Sequence, residues 1–384
     1  MHILIAPQAL KGSLTATETA RAIAEGVRAV APDAQVTELP IADGGEGTVE
    51  AMVGATAGKI IPATVTGPLG EPVEAFFGIL GGSLQGTAVI EMAAASGLPL
   101  VPPERRDPQI TTTWGTGELI RHALGLGCRR LLIGIGGSAT NDGGAGMAQA
   151  LGVHLLDEQG QELAPGGAPL ARLASIISES LDPRLGETVV QVACDVVNPL
   201  CGPNGATAIY GPQKGATPTM VRELDDALHH YAAIIKRDLG VDVLDLPGAG
   251  AAGGLGAGLV AFLKAELIPG AEMVLSALHF YTHLAAADIV ITAEGHLDSQ
   301  TLHGKGVGTV ASAAKARGVP VIVVVGGVAH DEQALYDQGI TAIVPLPTRP
   351  MALTEAMNSA GPLLSRAAER ALRLIGIGNR LTSR

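Results

Sequence analysis

Aromatic side chains are scarce in this chain, because Phe, Trp and Tyr together make up 2% of its 384 residues. Hydrophobic residues nevertheless reach 47%, and 52 residues are glycine. The core must therefore be built from Ala, Val, Leu and Ile packed closely around glycine, which is typical of an α/β protein with tight strand-to-helix loops. The chain also exceeds the length at which one hydrophobic core stops growing, so we expect two domains.

Cysteine and long apolar runs are also rare. The three cysteines, Cys128, Cys194 and Cys201, show no Cys-x-x-Cys spacing, which argues against both a disulfide framework and a zinc knuckle. No apolar run reaches the 18 or so residues of a membrane span, and the first residues lack the pattern of a secretion signal. These absences predict a cytoplasmic protein with no membrane contact.

Basic residues are outnumbered, with 25 Lys plus Arg against 37 Asp plus Glu and a net charge of −12. Such a charge would repel a phosphate backbone, so we do not expect nucleic acid as a partner. A small anionic ligand would need local lysines, backbone amides or a bound cation. The sequence leaves the oligomeric state open, with a homo-oligomer among the options.

The common nucleotide-binding signatures are missing or weak. Lys11, Gly12 and Ser13 reverse the Gly-Lys-Ser order of a P-loop, and the upstream glycine of that motif is absent. Residues 248–253 match the Gly-x-Gly-x-x-Gly pattern of dinucleotide sites, but Pro247 interrupts the approach to it. We therefore favour close Gly/Ala helix packing at this segment over NAD binding.

Apolar runs alternate with helical patterns at both ends of the chain. Runs at 2–6 and 36–41, with a capping box from Thr15 to Glu18 between them, predict a strand, helix, strand unit. The β-branched runs at 288–292 and 319–325 restore this rhythm near the C-terminus, followed by a candidate strand at 340–344.

The middle of the chain has a different texture. Closely spaced strand patterns at 73–80 and 87–92 indicate the start of another domain. We therefore predict a discontinuous, doubly wound α/β domain of the Rossmann or flavodoxin type, formed by residues 1–66 and 286–384. Residues 67–285 are predicted to form a second α/β domain inserted into the first. Its expected elements are strands at 131–135 and 189–194 and helices near 116–126, 143–152, 219–238 and 251–266.

Glycine and polar residues directly follow five of the predicted strands. Because ligands of open α/β sheets bind at the carboxyl ends of the strands, these loops are candidate binding segments. An ordinary helix cap needs one Ser, Asp or Asn, whereas these loops place glycine beside the polar group, as a close approach to phosphate requires. The loops are residues 11–13, 43–46, 136–144, 195–198 and 294–298.

The loop at 136–146 is the strongest candidate for phosphate binding. Its consecutive glycine amides precede a predicted helix, which favours an anion at that end. Ser138, Thr140, Asn141 and Asp142 add hydroxyl, amide and carboxylate groups.

Ordered blocks over nearly the whole chain form a more specific pattern. Residues 40–48 read Pro-Ile-Ala-Asp-Gly-Gly-Glu-Gly-Thr, and residues 134–144 read Gly-Ile-Gly-Gly-Ser-Ala-Thr-Asn-Asp-Gly-Gly. Further blocks are 11–14, 91–97, 112–120, 194–205, 210–215, 247–259, 294–301 and 304–305. Together they resemble the bacterial glycerate kinase family, the class unrelated to the P-loop kinases. The resemblance implies ATP, Mg²⁺, D-glycerate, a two-domain α/β structure with the active site in its cleft, and 2-phosphoglycerate as the product.

The chain departs from the family pattern near several of these blocks. We expect Asp-Ser-Phe before Lys11, where residues 8–10 read Gln-Ala-Leu. Ala293 replaces a glycine and Val307 replaces a proline of the pattern. One carboxylate is therefore missing close to Lys11.

Phosphoryl transfer needs positioning, charge neutralisation and a group that accepts or orients the hydroxyl proton. We assign Asp195 as the general base or a metal ligand, and Asp298 as a second metal candidate. Lys11 and Lys214 are assigned to steady the phosphoryl group or the glycerate carboxylate. Further candidate contacts to substrate or phosphate are Asp43, Glu46, Gly136, Gly137, Ser138, Asn141, Asp142, Asn198, Glu294 and Lys305. The residues alone do not separate these roles.

Two other functions stay open on the sequence. The pattern at 248–253 is compatible with an NAD-dependent oxidoreductase of a small hydroxy acid, and the same loops are compatible with a sensor that binds glycerate without turnover. Within the kinase reading, phosphorylation to 3-phosphoglycerate is the alternative outcome.

Overall fold

The computed structural model describes residues 1–297, 306–328 and 332–382. The chain divides into two compact units, the first formed by Met1–Asp43, Glu50–Ala57 and Val274–Arg384, the second by Gly44–Val49 and Gly58–Met273. The units therefore change near residues 57 and 273, whereas the sequence placed the boundaries at 66 and 286. The two-domain organisation with a cleft site stays our proposal.

The described strands form one main sheet in each unit. In chain order they are β1 (His2–Ile5), β2 (Gln35–Glu38), β3 (Lys59–Thr66), β4 (Pro72–Ile79), β5 (Thr87–Glu91), β6 (Arg130–Gly134), β7 (His154–Leu156), β8 (Ser175–Ile177), β9 (Val189–Ala193), β10 (Glu266–Ile268), β11 (Ile289–Leu297), β12 (Val321–Val328) and β13 (Ala342–Pro345). The first unit's sheet has the order β13-β12-β11-β1-β2 with parallel pairs throughout. Its strand order reverses between β11 and β1, as in a doubly wound sheet.

The second unit's sheet is mixed. Its order is β10-β9-β6-β5-β4-β3, with parallel pairs from β10 to β5 and antiparallel pairs beyond. β7 and β8 form a separate antiparallel pair. The predicted α/β class is therefore confirmed.

Helices connect most of these strands, and α1 begins at the predicted capping box. The Thr15 side chain accepts a hydrogen bond from the Glu18 amide, and the Glu18 carboxylate accepts one from the Thr15 amide. The helices are α1 (Ala16–Val30), α2 (Thr48–Thr56), α3 (Ala93–Ser96), α4 (Trp114–Gly125), α5 (Ala145–Ala150), α6 (Ala206–Tyr210), α7 (Pro218–Leu239), α8 (Ala251–Leu263), α9 (Gly270–Ala277), α10 (Phe280–Ala286), α11 (Gly306–Lys315), α12 (Glu332–Asp337), α13 (Leu353–Asn358) and α14 (Ala360–Thr382). Within the described ranges, no helix is both long and apolar enough to cross a membrane.

Some short or exposed strands were not predicted from the sequence. β7, β8 and β10 have three residues each, too few for an alternating pattern to stand out. β3 is an edge strand of the second sheet and is half exposed along its length, so it lacks a continuous apolar signal. The helix expected at 143–152 is shorter, because Gly143 and Gly144 both have positive φ and α5 starts at Ala145.

The start of α8 lies directly against the loop that precedes α5. Ala252, Gly253 and Gly254 have φ of 53°, 68° and 88°, so these three residues are not helical. The Gly143 amide donates to the Gly253 carbonyl at 3.0 Å, and a Cβ built on Gly253 would lie 1.9 Å from the Thr140 carbonyl oxygen. The glycines of 248–253 thus serve close packing. The sequence interpretation expected such packing within a helix, whereas Ala252 and Gly253 are not helical.

Gly253→Ala is expected to destabilise the protein more than Gly70→Ala. Both glycines have positive φ, 68° and 84°, so each alanine should cost about 1–2 kcal/mol in left-handed strain. At Gly253 the new Cβ also meets a backbone oxygen, whereas a Cβ on Gly70 meets nothing within 4 Å. Urea denaturation of both variants measures the difference in free energy of unfolding. Equal losses would contradict the packing argument.

Candidate active site

The parallel strands β5, β6, β9 and β10 end at one edge of the second unit's sheet. Three of the candidate segments lie along this edge: residues 136–138 after β6, residues 195–198 after β9, and the Gly44–Val49 segment that crosses it. A Cβ built on Gly134 would lie 2.3 Å from the Gly44 carbonyl oxygen, and a Cβ built on Gly44 would lie 2.3 Å from the Cβ of Ala193. The crossing therefore depends on glycine at both contact points.

Hydrogen bonds of the Glu91 and Thr48 side chains help to hold the Gly44–Val49 segment in place. The Glu91 carboxylate, at the end of β5, accepts from the Val49 amide at 2.8 Å, and the Thr48 hydroxyl donates to the Gly45 carbonyl at 2.6 Å. Glu91 is buried, whereas the Glu46 side chain is exposed. Sequence reasoning did not assign Glu91, although a carboxylate at the end of an apolar strand was a usable signal.

The exposed part of the 136–146 loop is short. Gly136 and Gly137 are exposed, and the chain is buried from Ser138 onward. The loop is held by backbone hydrogen bonds from the Leu98 amide to the Gly137 carbonyl at 2.8 Å and from the Ala139 amide to the Ser96 carbonyl at 3.0 Å. A ligand can therefore reach the two glycines, while the residues after them form their support.

Asp142 lies wholly inside this support. Its Oδ2 accepts from the Thr113 amide at 2.8 Å, from the Thr113 hydroxyl at 2.9 Å and from the Gly146 amide at 3.2 Å, and its Oδ1 accepts from the Gly144 amide at 3.2 Å. Burial raises the pKa of Asp142, and these hydrogen bonds oppose the rise. The amides at the start of α5 are thus engaged by a protein carboxylate.

Thr140 and Asn141 are buried beside Asp142. The Asn141 Nδ2 donates to the Thr207 hydroxyl at 2.9 Å. Within the described residues, the Asn141 Oδ1 and the Thr140 hydroxyl have no hydrogen-bond partner. The Asn141 Oδ1 can accept a hydrogen bond and the Thr140 hydroxyl can donate or accept one, so an internal water molecule would satisfy both.

Lys214 is also buried, with 2% of its surface exposed. Its Nζ donates to the Ser138 hydroxyl at 2.8 Å and to the Thr140 carbonyl at 2.7 Å, both neutral acceptors. Burial lowers the pKa of Lys214 to about 7, and the negative charge of Asp142 opposes that shift. The lysine that the sequence assigned to phosphoryl or carboxylate binding therefore lies behind Ser138.

Asp195 and Asn198 occupy the loop after β9. The Asp195 side chain is exposed, and its Oδ1 accepts from the Gly270 amide at 2.8 Å. The Asn198 Oδ1 accepts from the Tyr210 hydroxyl at 2.8 Å, and the Asn198 Nδ2 donates to the Asn204 carbonyl at 2.8 Å. Asp195 thus combines a fixed orientation with access from solvent, whereas the Asn198 side chain holds its own loop together.

The remaining candidates belong to the first unit or lie outside the described residues. Lys11 is exposed in a turn closed by a bridge between Leu10 and Leu14. Asp43 and Glu294 are half-buried, Glu294 on β11 opposite Val325. The other two candidates, Asp298 and Lys305, lie outside the described residues.

Gln8 stands where the resemblance to the family leads us to expect an aspartate. It follows β1, and its carboxamide contacts Gly306 at the start of α11, since a Cβ built on that glycine would lie 2.3 Å from the Gln8 Cδ. This side chain packs against backbone in the same unit.

Across the described ranges, no group of three or more His, Cys, Asp and Glu side chains is arranged so that it could hold a metal ion. Magnesium is often held by one or two carboxylates together with substrate phosphates. An exposed, oriented carboxylate such as Asp195 fits that mode of binding.

Residues 3–376 match the model of the glycerate kinase family. The chain is 54% identical to a glycerate kinase of Bacillus subtilis strain 168, over 96% of each chain, and 53% identical to a glycerate 2-kinase of Escherichia coli strain K12, over 99% of each chain. A crystal structure described as glycerate kinase 2 from Salmonella typhimurium LT2 superposes with a TM-score of 0.91, at 53% identity over 99% of both chains.

Asp142→Asn is expected to destabilise the protein by about 2–3 kcal/mol, because an amide NH₂ would face a donor that the carboxylate now satisfies. Asp157→Asn serves as the control, since Asp157 accepts from the Gln159 and Gln161 amides in an exposed turn that asparagine also supports. Urea denaturation measures both changes. A variant as stable as the parent would contradict a charged, accepting Asp142.

Proposed function

Since the chain belongs to the glycerate kinase family, we propose that it transfers the γ-phosphoryl group of ATP to the 2-hydroxyl of D-glycerate in the presence of Mg²⁺. The products are ADP and 2-phosphoglycerate. The 53% identity to a relative named glycerate 2-kinase, over 99% of each chain, supports the choice of the 2-hydroxyl. An oxidoreductase finds no support, because the glycines at 248–253 are used in backbone packing.

The observation that carries this proposal is the grouping of anion-binding and proton-accepting groups at one sheet edge. The exposed Gly136 and Gly137 follow β6, and the exposed carboxylate of Asp195 follows the neighbouring strand β9. Phosphoryl transfer is mainly a matter of positioning and charge neutralisation. We propose that phosphate binds at the glycines and that the glycerate hydroxyl lies towards Asp195.

Asp195 is proposed as the group that orients the hydroxyl and accepts its proton. As the glycerate oxygen forms its bond to the γ-phosphorus, the bond from that phosphorus to the ADP oxygen breaks, and the hydroxyl proton passes to the carboxylate. The Gly270 amide holds one carboxylate oxygen at 2.8 Å. This contact limits rotation of the side chain, which keeps it aimed during the transfer.

Magnesium, when bound, neutralises charge on the transferred phosphates. We propose Asp195 as a ligand of the magnesium ion, as the alternative to the role of Asp195 as a base. Asp298, which lies outside the described residues, remains the second proposed ligand. The first-unit residues Lys11, Asp43 and Glu294 remain proposed contacts to substrate or phosphate, as do Glu46 and Lys305.

In this proposal, three of the assigned residues act indirectly. Asp142, Asn141 and Asn198 are engaged by protein groups, so we propose that they position the loops rather than touch the ligand. We also propose that the enzyme works in the cytoplasm, where ATP is available, and without a nucleic-acid partner.

The position of the phosphoryl group on the product tests the choice of hydroxyl. Enzyme, Mg-ATP and D-glycerate incubated with enolase alone should yield phosphoenolpyruvate, because enolase accepts 2-phosphoglycerate directly. The absorbance of phosphoenolpyruvate measures this. Product that appears only after a phosphoglycerate mutase is added would overturn the 2-hydroxyl and leave the kinase activity standing.

Asp195→Asn should lower kcat by about 10²–10⁴ if the carboxylate accepts the proton. The fold should persist, since asparagine can still accept from the Gly270 amide. Asp226→Asn, at an exposed position of α7, is the matched control and should leave turnover unchanged. A coupled ADP assay across Mg²⁺ concentrations separates the two roles, because loss of a metal ligand would raise the Mg²⁺ requirement instead. Wild-type turnover in the folded Asp195 variant would rule out both.

A further inference from the structure

Lys214 is a buried ammonium that has only neutral acceptors. A charge removed from water is costly unless an opposite charge or strong hydrogen bonds replace the solvent. Its Nζ contacts the Ser138 hydroxyl and the Thr140 carbonyl, while the nearby Asp142 carboxylate accepts from Thr113 and two glycine amides instead. The charge of Lys214 is therefore only partly compensated by the protein.

The loop in front of this lysine presents donors without acceptors. In the described part of the chain, the backbone amides of Gly136, Gly137 and Ser138 donate to no protein group. Gly137 has a φ of 73°, and successive amides around such a residue form a concave site for anions. The hydrogen bonds to residues 96–98 fix this backbone, so the donors are already in place before a ligand arrives.

Ser138 connects the two features. Its hydroxyl accepts a hydrogen bond from the Lys214 Nζ, which leaves the hydroxyl proton to be donated elsewhere. A ligand oxygen that accepts this proton at the amides of 136–138 would polarise the hydroxyl and strengthen its bond to the ammonium. The ligand's negative charge would act on Lys214 through a single intervening side chain.

From this arrangement, we infer that residues 136–138 bind an anionic oxygen group whose counter-charge is Lys214, and that Lys214 takes up a proton when that group binds. The inference rests on the proposed phosphoryl transfer, and a phosphate of ATP is the ligand that it favours. The carboxylate of glycerate has the same chemistry and is the other source.

The charges around Lys214 determine whether anion binding takes up or releases a proton. Burial lowers the pKa of Lys214 to about 7 in the free protein, and Asp142 works against that shift. The Arg106 guanidinium donates to the carbonyl of Gln213, the residue before Lys214. A bound anion favours the ammonium and raises the pKa, so above pH 7 binding must draw a proton from solution, and affinity should fall by up to tenfold per pH unit.

Calorimetric titration at pH 8 tests this without turnover. ATP alone is titrated in two buffers of different ionisation enthalpy, since its phosphates, with a pKa near 6, are then almost fully ionised. Because burial lowers the pKa of Lys214 to about 7, the lysine is mostly neutral at this pH, so net proton uptake on ATP binding is expected. D-glycerate alone, in a parallel titration, separates the carboxylate from the phosphate as the source.

Lys214→Met should abolish the proton uptake and weaken ATP binding about tenfold or more. Lys236→Met is the matched control, because Lys236 is exposed on α7 and pairs with Asp242, and it should keep the uptake of the parent. If Lys214→Met does not fold, the inference is tested by measuring how the ATP affinity of the parent protein changes between pH 7 and 9.

Uptake with either ligand that is lost in Lys214→Met supports the inference. Three results would overturn the inference: no proton uptake with either ligand, uptake that persists in Lys214→Met, or an ATP affinity that does not change between pH 7 and 9. These outcomes are independent of the proposed reaction, which the identity of the phosphorylated product tests separately.

Discussion

The candidate site depends on one close contact between two stretches of backbone. Residues 140–143 lie against residues 253–258 with no side chain between them, because a Cβ on Gly253, Gly254 or Gly258 would lie within 3 Å of that loop's backbone. The approach also holds the Thr140 carbonyl where Lys214 can reach it. Removing water from this contact buries its polar groups, so most of them pair within the protein. Among the described residues, the Thr140 hydroxyl and the Asn141 Oδ1 are the exceptions in this stretch.

The loop before α5 consequently has two parts with different tasks. The buried part contains Asp142, whose carboxylate engages the first amides of α5 and the side chain of Thr113. The exposed part consists of Gly136 and Gly137, whose position is set by what lies behind them. A rigid support under a small exposed surface suits phosphoryl transfer, where an error of an ångström in position is costly.

The loop after β9 also combines an exposed group with groups that support it. Asp195 is exposed but oriented by the Gly270 amide, while Asn198 is occupied by Tyr210 and the Asn204 carbonyl. The unit thus keeps the Asp195 carboxylate accessible at this edge and uses an amide side chain to stabilise the loop around it. With a net charge of −12, the protein needs such local donors and cations to attract an anionic substrate.

The sequence by itself determined the α/β class, the capping box of α1, most strand positions and the family, because apolar periodicity, cap chemistry and ordered motifs are local properties of the chain. It did not separate residues that touch a ligand from residues that support them. Asp142 and Asp195 both follow strands, yet the tertiary structure buries one and exposes the other. The same holds for Lys214, which only the packing of its turn against residues 138–140 places behind the loop. Burial and hydrogen-bond partners arise from contacts between residues distant in sequence, and those contacts exist only once the chain has folded.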